Sequence, residues 1–292
     1  MIRILITGAN SFIGKSFEKY IAQWPDKFHV DTVDMLDGSW REMSFTGYDS
    51  VFHVAGIAHQ DSGKTSEARK QLYFKVNTNL TVETANKAMA EGVRQFIFMS
   101  SIIVYGASAK LGQTKVITNE TKPTPKGAYG QSKLKAENGI LSLNNESFKV
   151  CILRPPMIYG PGCKGNFPLL TKAALKLPFF PDFHNERSML FVGNLCIFLK
   201  AAVVEGLSGL YFPQNSEYVS TSEMVRQIAM TQGRKIRMIK MLNPLLMSLS
   251  GRIGLLDKVF GGLVYEHDLP SGGITGIEIP FYESIIITMN NV

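Results

Sequence analysis

The sequence predicts an α/β protein, a doubly wound parallel sheet followed by a smaller, mixed α/β C-terminal lobe. Two observations support this class. Short apolar runs alternate with helical segments over the first half of the chain, as in strand–helix–strand units. The first run also ends in a glycine-containing turn that opens a helix. With 292 residues, 45% hydrophobic and 19% charged, the composition is that of an ordinary globular protein.

The predicted strands of the first lobe are apolar runs bounded by polar residues, glycine or proline. They cover residues 2–6, 28–33, 50–54, 95–99 and 149–153. Helical patterns lie between them, over residues 12–23, 78–90 and 129–143. Because each helix separates two strands, we expect the strands to be parallel and the helices to cover both faces of the sheet.

The regular alternation ends after Arg154-Pro155-Pro156, where proline and glycine become frequent. We therefore expect a nucleotide-binding domain over 1–160 and a substrate lobe over 161–292, with about 192–213 returning to the first domain and residues 192–205 forming a helix. Segment 245–265 alternates apolar residues with Arg252 and Lys258. It is expected to cover the second lobe or to contact a partner, and a membrane-surface helix is the less favoured alternative.

The formal charge of +7 suits an anionic partner. Lysine and arginine are scattered without a basic stripe, which favours a phosphorylated small molecule over nucleic acid. Three cysteines, without paired Cys or His spacing, predict neither a disulfide framework nor a metal site. The sequence contains no apolar run of about 18 residues and begins as a strand and turn. We expect a cytoplasmic protein without stable membrane insertion.

A turn over residues 7–14 follows the first predicted strand and opens the first predicted helix. Gly8 suits the tight turn, and Gly14 allows the helix to pack closely on the strand. Free N–H groups at the helix start would meet a pyrophosphate, so the pattern indicates a Rossmann-type dinucleotide site. Asp34 follows the second strand and would accept hydrogen bonds from a ribose 2′-hydroxyl while repelling a 2′-phosphate. The sequence thus predicts NAD rather than NADP.

Residues 9–16 also satisfy a loose P-loop pattern if Ala9 replaces the first glycine. A P-loop requires a glycine-rich arc of N–H groups around the phosphates. Phe12 and Ile13 instead have the character of helix residues that pack onto a sheet. The dinucleotide interpretation is therefore preferred.

Tyr129 and Lys133 lie four residues apart in a predicted helix, so their side chains share one face. An ammonium beside a phenol favours the phenolate, and we expect it to lower the tyrosine pKa from about 10. Ser101, just after the strand over 95–99, would hold the oxygen that Tyr129 deprotonates. The alternative is an ordinary surface helix preceded by a serine-rich loop.

Taken together, these motifs resemble the extended short-chain dehydrogenase/reductase family, and within it the NAD-dependent nucleotide-sugar epimerases and dehydratases. The resemblance rests on Asn77 and on residues 7–14, 51–56, 99–106, 129–133, 153–162 and 187–192. It implies a UDP-sugar 4-epimerase that acts through a 4-keto intermediate and forms a possible homodimer. A 4-keto-sugar reductase or dehydratase is the alternative, and a catalytically silent dinucleotide-binding protein is a remote one.

The resemblance also implies a set of site residues. Catalysis would fall to Ser101, Tyr129 and Lys133. Substrate would contact Ser101, Tyr129, Met157, Asn166 and Arg187, with Arg252 as a candidate second phosphate-binding arginine. The cofactor would contact Gly8, Asn10, Ser11, Phe12, Ile13, Gly14, Asp34, Ala55, Gly56, Asn77, Ser100, Tyr129, Lys133 and Pro156.

Three positions depart from the family pattern. Ser11 replaces the middle glycine of the turn, where its Cβ takes up room but its hydroxyl could donate to a phosphate. Met157 stands where many sugar epimerases carry asparagine. Pro155-Pro156 resembles the family's reductases and steroid-type dehydrogenases. His53, in an apolar run, is expected to be a hydrogen-bonded core residue without a catalytic role.

Overall fold

The computed structural model describes residues 1–58, 66–252, 254–271 and 278–290. The strands of this part of the chain are β1 (Ile2–Thr7), β2 (Phe28–Val33), β3 (Ser50–His53), β4 (Gln95–Met99), β5 (Thr114–Ile117), β6 (Lys149–Leu153), β7 (Met157–Tyr159), β8 (Phe179–Pro181), β9 (Met189–Phe191), β10 (Gly209–Tyr211), β11 (Arg237–Ile239) and β12 (Gly262–Tyr265). The helices are α1 (Phe12–Ile21), α2 (Glu67–Tyr73), α3 (Leu80–Ala90), α4 (Ala128–Leu141), α5 (Asn166–Lys176), α6 (Val192–Glu205), α7 (Thr221–Thr231), α8 (Asn243–Leu249), α9 (Gly254–Phe260) and α10 (Phe281–Asn290).

A parallel sheet forms the first lobe. Within the described residues it has six strands in the order β10-β6-β4-β3-β1-β2, and each neighbouring pair is parallel. Alternation along β1 sends Ile4 and Ile6 into the core shared with Phe17 of α1, and Leu5 into the core shared with Ala136 of α4. The sheet is therefore covered on both faces, which confirms the predicted doubly wound fold.

The chain returns to this sheet after entering the second lobe. Helix α6 packs against α1, and β10 then pairs with β6 at the sheet edge. The buried amide of Gln95 fixes the position of this returning segment, because its Nε2 donates to the carbonyls of Ala202 (2.8 Å) and Leu207 (3.0 Å). These bonds hold the end of α6 against β4 of the sheet.

Short parallel strand pairs build the second lobe: β7 with β9, β8 with β11, and β12 with β5. Residues 245–265, expected to cover the second lobe or to contact a partner, form the end of α8 and all of α9 and β12. Strand β12 is buried against β5, so this end of the segment covers the lobe. Among the described residues, no helix is long and apolar enough to cross a lipid bilayer.

The second predicted helix, over residues 78–90, begins earlier in the structure than its sequence pattern indicates. Helix α2 continues through a π-helical segment, Phe74–Asn79, into α3. The polar run Asn77-Thr78-Asn79 resembles a helix start, but here tertiary bonds hold it inside a helix. Buried Asn77 accepts from the Ile57 N–H (2.9 Å) and donates to the Ile57 carbonyl (3.0 Å) and the Ser132 hydroxyl (3.1 Å). It joins the loop after β3 to α4.

We expect Asn77→Ala to lower the free energy of unfolding by about 2–3 kcal/mol, because it leaves buried polar groups of Ile57 and Ser132 without these bonds. Urea unfolding followed by circular dichroism measures the loss. The matched control is Asn86→Ala, which removes an exposed helix bond to the Val82 carbonyl and should cost less than about 0.5 kcal/mol. Equal losses in the two variants would contradict the assigned role of Asn77.

Candidate active site

The turn between β1 and α1 brings two backbone segments into close contact. Gly8 has a φ of 100°, and a Cβ there would lie 2.8 Å from Cα and N of Ala55. A Cβ on Gly14 would lie 2.6 Å from Ser11 Oγ and 3.2 Å from a methyl carbon of Ile6. Both positions therefore require glycine, for the reasons that the sequence pattern indicated.

Ser11 fits the middle position of the turn without strain. It is the N-cap of α1, with φ −67° and ψ 146°, and its Oγ accepts from the Gly14 N–H at 3.0 Å. The capping bond uses a lone pair of the hydroxyl, so the Ser11 proton stays available to an acceptor in front of the turn. The serine thus replaces glycine at a position with ordinary backbone angles.

In front of this turn lies a cavity of about 770 Å³. Asp34, directly after β2, lines it, and its Oδ1 accepts from the Leu36 N–H at 2.9 Å. Arg41 also lines it and is held by a two-point ion pair with Glu83, whose second bond, from Nη2, is 2.6 Å long. The predicted cofactor residues in its wall are Gly8, Asn10, Ser11, Asp34, Ala55 and Gly56.

A second cavity, of about 210 Å³, continues from the first, because Val54, Gly56 and Ile57 line both. Its wall brings together the three predicted catalytic residues and four predicted cofactor residues: Ser101, Tyr129 and Lys133 with Ile13, Gly56, Ser100 and Pro156. The elongated space, the glycine turn at a helix N-terminus and the acid after β2 together fit a dinucleotide.

Three residues of the predicted cofactor set are absent from the described lining of both cavities: Phe12, Gly14 and Asn77. Phe12 packs against the larger hydrophobic core. Gly14 and Asn77 act behind the wall, through the close packing and hydrogen bonds given above. Arg252 is exposed and also lies outside the described lining of the four cavities.

Lys133 is buried beneath the second cavity. Its Nζ donates to the Met99 carbonyl at 2.8 Å and lies 4.7 Å from the centre of the Phe98 ring. A Cβ on Gly56 would come within 3.3 Å of the same nitrogen. Burial lowers the Lys133 pKa to about 8, and the charge of Glu137 opposes that shift. The ammonium thus has a defined position between α4 and the ends of β3 and β4.

A buried network lies behind Lys133. Glu137, one helical turn further along α4, accepts from the Ser100 hydroxyl and from Nη2 of Arg154 at 2.6 Å. Nη1 of Arg154 donates to the Tyr105 hydroxyl at 2.6 Å. The network joins α4 to the segments after β4 and β6. Lys133 and Ser101 therefore lie on segments that these hydrogen bonds hold together. Tyr105 is the last residue of the turn that follows β4, and its buried hydroxyl ties that turn to Arg154.

Tyr129 sits above Lys133 at the cavity wall, and a hydrogen bond links it to Ser101. Burial raises the pKa of Tyr129 to about 12; the bond from Ser101 opposes this shift and the nearby Tyr73 adds to it. The expectation that Lys133 would lower this pKa is wrong for the structure described. The desolvation of a phenol is the larger effect, and the lysine donates to the Met99 carbonyl.

The predicted substrate residues of the second lobe, Met157, Asn166 and Arg187, line one narrow cavity of about 50 Å³. Nη1 of Arg187 donates to the carbonyls of Lys258 (2.9 Å) and Gly261 (3.2 Å), at the end of α9. Burial lowers the Arg187 pKa. Met157 and Ile158 are successive residues of β7 that line this cavity and the catalytic cavity respectively, so β7 borders both.

His53 is the satisfied core histidine that the sequence indicated. Its ring bonds Thr7 Oγ1 (2.7 Å) and Thr81 Oγ1 (3.0 Å). Burial lowers its pKa to about 3. The Thr81 hydroxyl donates to the Asn77 carbonyl, so His53 Nε2 carries the proton and Nδ1 accepts from Thr7.

Sequence reasoning missed several residues of the site. Glu137 lies four residues after Lys133, so the spacing rule that joined Tyr129 to Lys133 would also have found it. No local pattern pointed to its partner Arg154, because the two meet only in the folded chain. Tyr73, whose ring centre lies 6.0 Å from that of Tyr129, was missed together with helix α2.

The burial of Lys133 predicts a pH dependence of stability. Its pKa is about 8 in the fold and 10.5 as the ordinary value, so the unfolded chain binds more protons between these values. Stability then rises with pH in this window. From pH 7 to 10 we expect the wild type to gain about 2 kcal/mol relative to Lys133→Met.

Urea unfolding of the wild type, Lys133→Met and the exposed-site control Lys135→Met, at several pH values, measures this difference. The control should follow the wild type. If the curves of Lys133→Met and the wild type were parallel from pH 7 to 10, the burial of the Lys133 charge would be contradicted.

Comparison with known proteins identifies the family of the chain. Residues 4–205 match the model of the NAD dependent epimerase/dehydratase family. A UDP-glucose 4-epimerase of Vibrio cholerae is 31% identical over 247 residues, 77% of this chain and 74% of the relative. An N-acetyl-alpha-D-glucosaminyl-diphospho-ditrans,octacis-undecaprenol 4-epimerase of Escherichia coli O157:H7 is 27% identical, covering 88% of this chain and 81% of the relative.

Two further proteins extend the comparison. A GDP-6-deoxy-D-mannose reductase of Pseudomonas aeruginosa is 29% identical over 59% of this chain and 57% of its own length. Among solved structures, UDP-glucuronic acid 4-epimerase from Bacillus cereus in complex with NAD superposes with a TM-score of 0.74 at 17% identity, covering 99% and 96% of the two chains. That likeness shows the fold. The chain belongs to the NAD-dependent epimerase/dehydratase family of extended short-chain dehydrogenases/reductases and is an NAD-dependent enzyme.

Proposed function

We propose that the protein is a UDP-sugar 4-epimerase that oxidises the sugar transiently at C4 and reduces it again from the other face. The observation that carries this proposal is the continuous cavity with Ser101, Tyr129 and Lys133 at one end and Asp34 at the other. The Vibrio cholerae relative, a UDP-glucose 4-epimerase, supports the substrate class, and the Escherichia coli relative supports the 4-epimerase reaction.

NAD held along the two cavities would supply reversible hydride transfer to and from C4 of the sugar, together with additional positive charge. Tyr129 takes the proton of the C4 hydroxyl and later gives it back. Ser101 is already hydrogen-bonded to Tyr129, which suits it to hold the same substrate oxygen. At neutral pH, with pKa values of about 12 and about 8, the phenol is protonated and the ammonium largely charged.

The raised pKa of Tyr129 in the described structure sets a requirement for the mechanism. With a pKa near 12 the phenol of Tyr129 is almost wholly protonated at neutrality and cannot accept a proton, so additional positive charge must reach the site when the reactants bind. Lys133, one helical turn from Tyr129 on α4, is a cation that the chain itself provides. Its fixed bond to the Met99 carbonyl keeps it in place for both directions of proton transfer.

The second lobe would hold the nucleotide part of the substrate. Arg187 lines the narrow cavity beside Met157 and Asn166, and its bonds to the carbonyls at the end of α9 orient its guanidinium. Among the described residues those bonds all use Nη1, which leaves Nε and Nη2 for a diphosphate. A fixed diphosphate would let the keto-sugar turn while the substrate stays bound.

A 4-keto-sugar reductase is the second candidate. It is favoured by Pro155-Pro156 in the catalytic cavity wall and by the similarity to the GDP-6-deoxy-D-mannose reductase. Purified protein incubated with UDP-glucose or UDP-galactose separates the two. Interconversion without net NADH formation supports the epimerase. Stoichiometric oxidation of NADH or NADPH by a nucleotide-4-keto-sugar, without epimerisation, would overturn it in favour of the reductase.

We expect Tyr129→Phe to lower kcat by about a thousandfold, since it removes the proton acceptor, while bound NAD is retained. Anion-exchange chromatography of the UDP-sugars measures turnover, and the absorbance of released nucleotide measures NAD. Tyr73→Phe, which keeps the neighbouring ring, is the control and should change kcat less than tenfold. Turnover of Tyr129→Phe at the wild-type rate would remove Tyr129 from the mechanism.

The cofactor wall supports NAD over NADP. Asp34 places a carboxylate after β2, and Arg41, a cation in the same cavity wall, is already paired with Glu83. We expect Asp34→Ser to weaken NAD at least tenfold relative to NADP, because it removes a ribose acceptor and a phosphate-repelling charge. Isothermal titration measures both affinities.

Asp37→Ser is the matched control for the cofactor test. Asp37 lines the same cavity, but its Oδ1 is engaged by the Ser39 N–H (3.0 Å) and hydroxyl (2.7 Å). This variant should leave the NAD to NADP ratio within threefold. An unchanged ratio in Asp34→Ser would show that Asp34 does not select the cofactor.

A further inference from the structure

An exposed aromatic side chain and a cation lie side by side on the outer face of the β8–β11 pair. Phe179 and Arg237 are register partners in this parallel pair. The next residues, Phe180 and Met238, pack into the hydrophobic core. Because side chains alternate along a strand, Phe179 and Arg237 point away from the core, and 47% of Phe179 is exposed.

The chain continues from β11 into a segment with further exposed apolar side chains. Met241 is 90% exposed, and Leu245 and Met247 of α8 are 58% and 48% exposed. The segment is not loosely attached. Leu246 packs against the core, and Asn243 Nδ2 donates to the Asp182 carbonyl at 2.9 Å, just after β8. The segment that carries these exposed apolar side chains is therefore fixed to the rest of the lobe.

The same region carries a concentration of positive charge. From residue 234 to residue 258 there is one acidic residue, Asp257, and its carboxylate is engaged by the Ser250 hydroxyl (2.7 Å) and the Gly251 N–H (2.9 Å). Six basic residues in this span are all exposed, namely Arg234, Lys235, Arg237, Lys240, Arg252 and Lys258. With Asp257 included, the span carries a net charge of +5, against +7 for the whole chain.

We propose that this basic–apolar surface, formed by Phe179, Arg237, Lys240, Met241 and Leu245, binds the surface of an anionic phospholipid bilayer. Apolar side chains among exposed cations are the composition of segments that lie in a membrane interface. The apolar groups enter the headgroup region while the cations pair with anionic headgroups. Charge complementarity selects an anionic bilayer over a second copy of this chain, whose matching surface would carry the same positive charge.

Two elements connect the surface to the substrate cavity of the second lobe along the chain. Helix α5 begins at the cavity with Asn166, and Leu169, 62% exposed, lines the cavity as well. The same helix then leads to β8 and Phe179. On the other side, Lys258 lines the cavity and ends the run of basic residues.

Vesicle sedimentation of the full chain, without substrate, tests the proposal. The protein should sediment with vesicles of phosphatidylcholine and phosphatidylglycerol (about 7:3) and remain in solution with phosphatidylcholine alone. Each basic residue near an anionic surface contributes about fivefold to binding, so Arg237→Gln with Lys240→Gln should weaken it about 25-fold. Salt at about 0.5 M should weaken it further, because it screens the charges.

Met241→Ser with Leu245→Ser should weaken vesicle binding at least tenfold. Two controls change residues on other surfaces. Lys19→Gln with Lys27→Gln matches the loss of charge, and Leu141→Ser matches the loss of an exposed apolar side chain, because Leu141 is 52% exposed. Both controls should bind within twofold of the wild type, and thermal unfolding should show that every variant is folded.

Three outcomes would overturn the proposal. They are failure to bind anionic vesicles, vesicle binding that the surface variants leave unchanged, and a dimer in light scattering that Met241→Ser with Leu245→Ser converts to monomer. The last would assign the surface to a second copy of the chain. Because the assay requires neither cofactor nor turnover, its result does not depend on the proposed epimerase function.

Discussion

The active site depends on keeping one ammonium buried. Lys133 is charged at neutral pH, although burial lowers its pKa to about 8. Several neighbours make this position possible: the Met99 carbonyl as acceptor, the face of the Phe98 ring, and the carboxylate of Glu137 one helical turn away. Because a buried charge without partners costs several kcal/mol, these contacts define where α4 can sit against the sheet.

The same contacts explain why residues far apart in the sequence form one site. Gly8, Gly56 and Ser101 follow β1, β3 and β4, at the carboxyl edge of the sheet where ligands bind in doubly wound folds. Helix α4 is fixed to that edge by Lys133, by Asn77 through Ser132, and by the Glu137–Arg154 ion pair. The position of Tyr129 therefore depends on the bonds that attach α4 to the sheet. A substitution of Asn77 or Arg154, which lie behind the cavity wall, would shift the phenol.

The sequence predicted the elements with a strong local signal. Strands β2, β4 and β6 and helix α6 have the expected bounds, because their apolar runs are flanked by clear breaks. It placed Ser101, Tyr129 and Lys133 together because a spacing of four on a helix and a position after a strand determine geometry. The sequence did not predict features that depend on contacts between residues far apart in the chain. Examples are the π-helical segment around Asn77 and the pairing of Glu137 with Arg154. The predicted lowering of the Tyr129 pKa was wrong for the same reason, because the burial that raises it depends on the folded chain and has no local sequence pattern.

The most direct measurement of the central claim is a crystal structure of Tyr129→Phe with NAD and a UDP-sugar. The account predicts the nicotinamide between Gly56 and Lys133, and the sugar C4 hydroxyl within hydrogen-bond distance of Ser101 Oγ, beside the ring at position 129. It also predicts Lys133 still bonded to the Met99 carbonyl or turned to the nicotinamide ribose. A nicotinamide outside the second cavity, or a C4 hydroxyl facing away from Ser101, would contradict it.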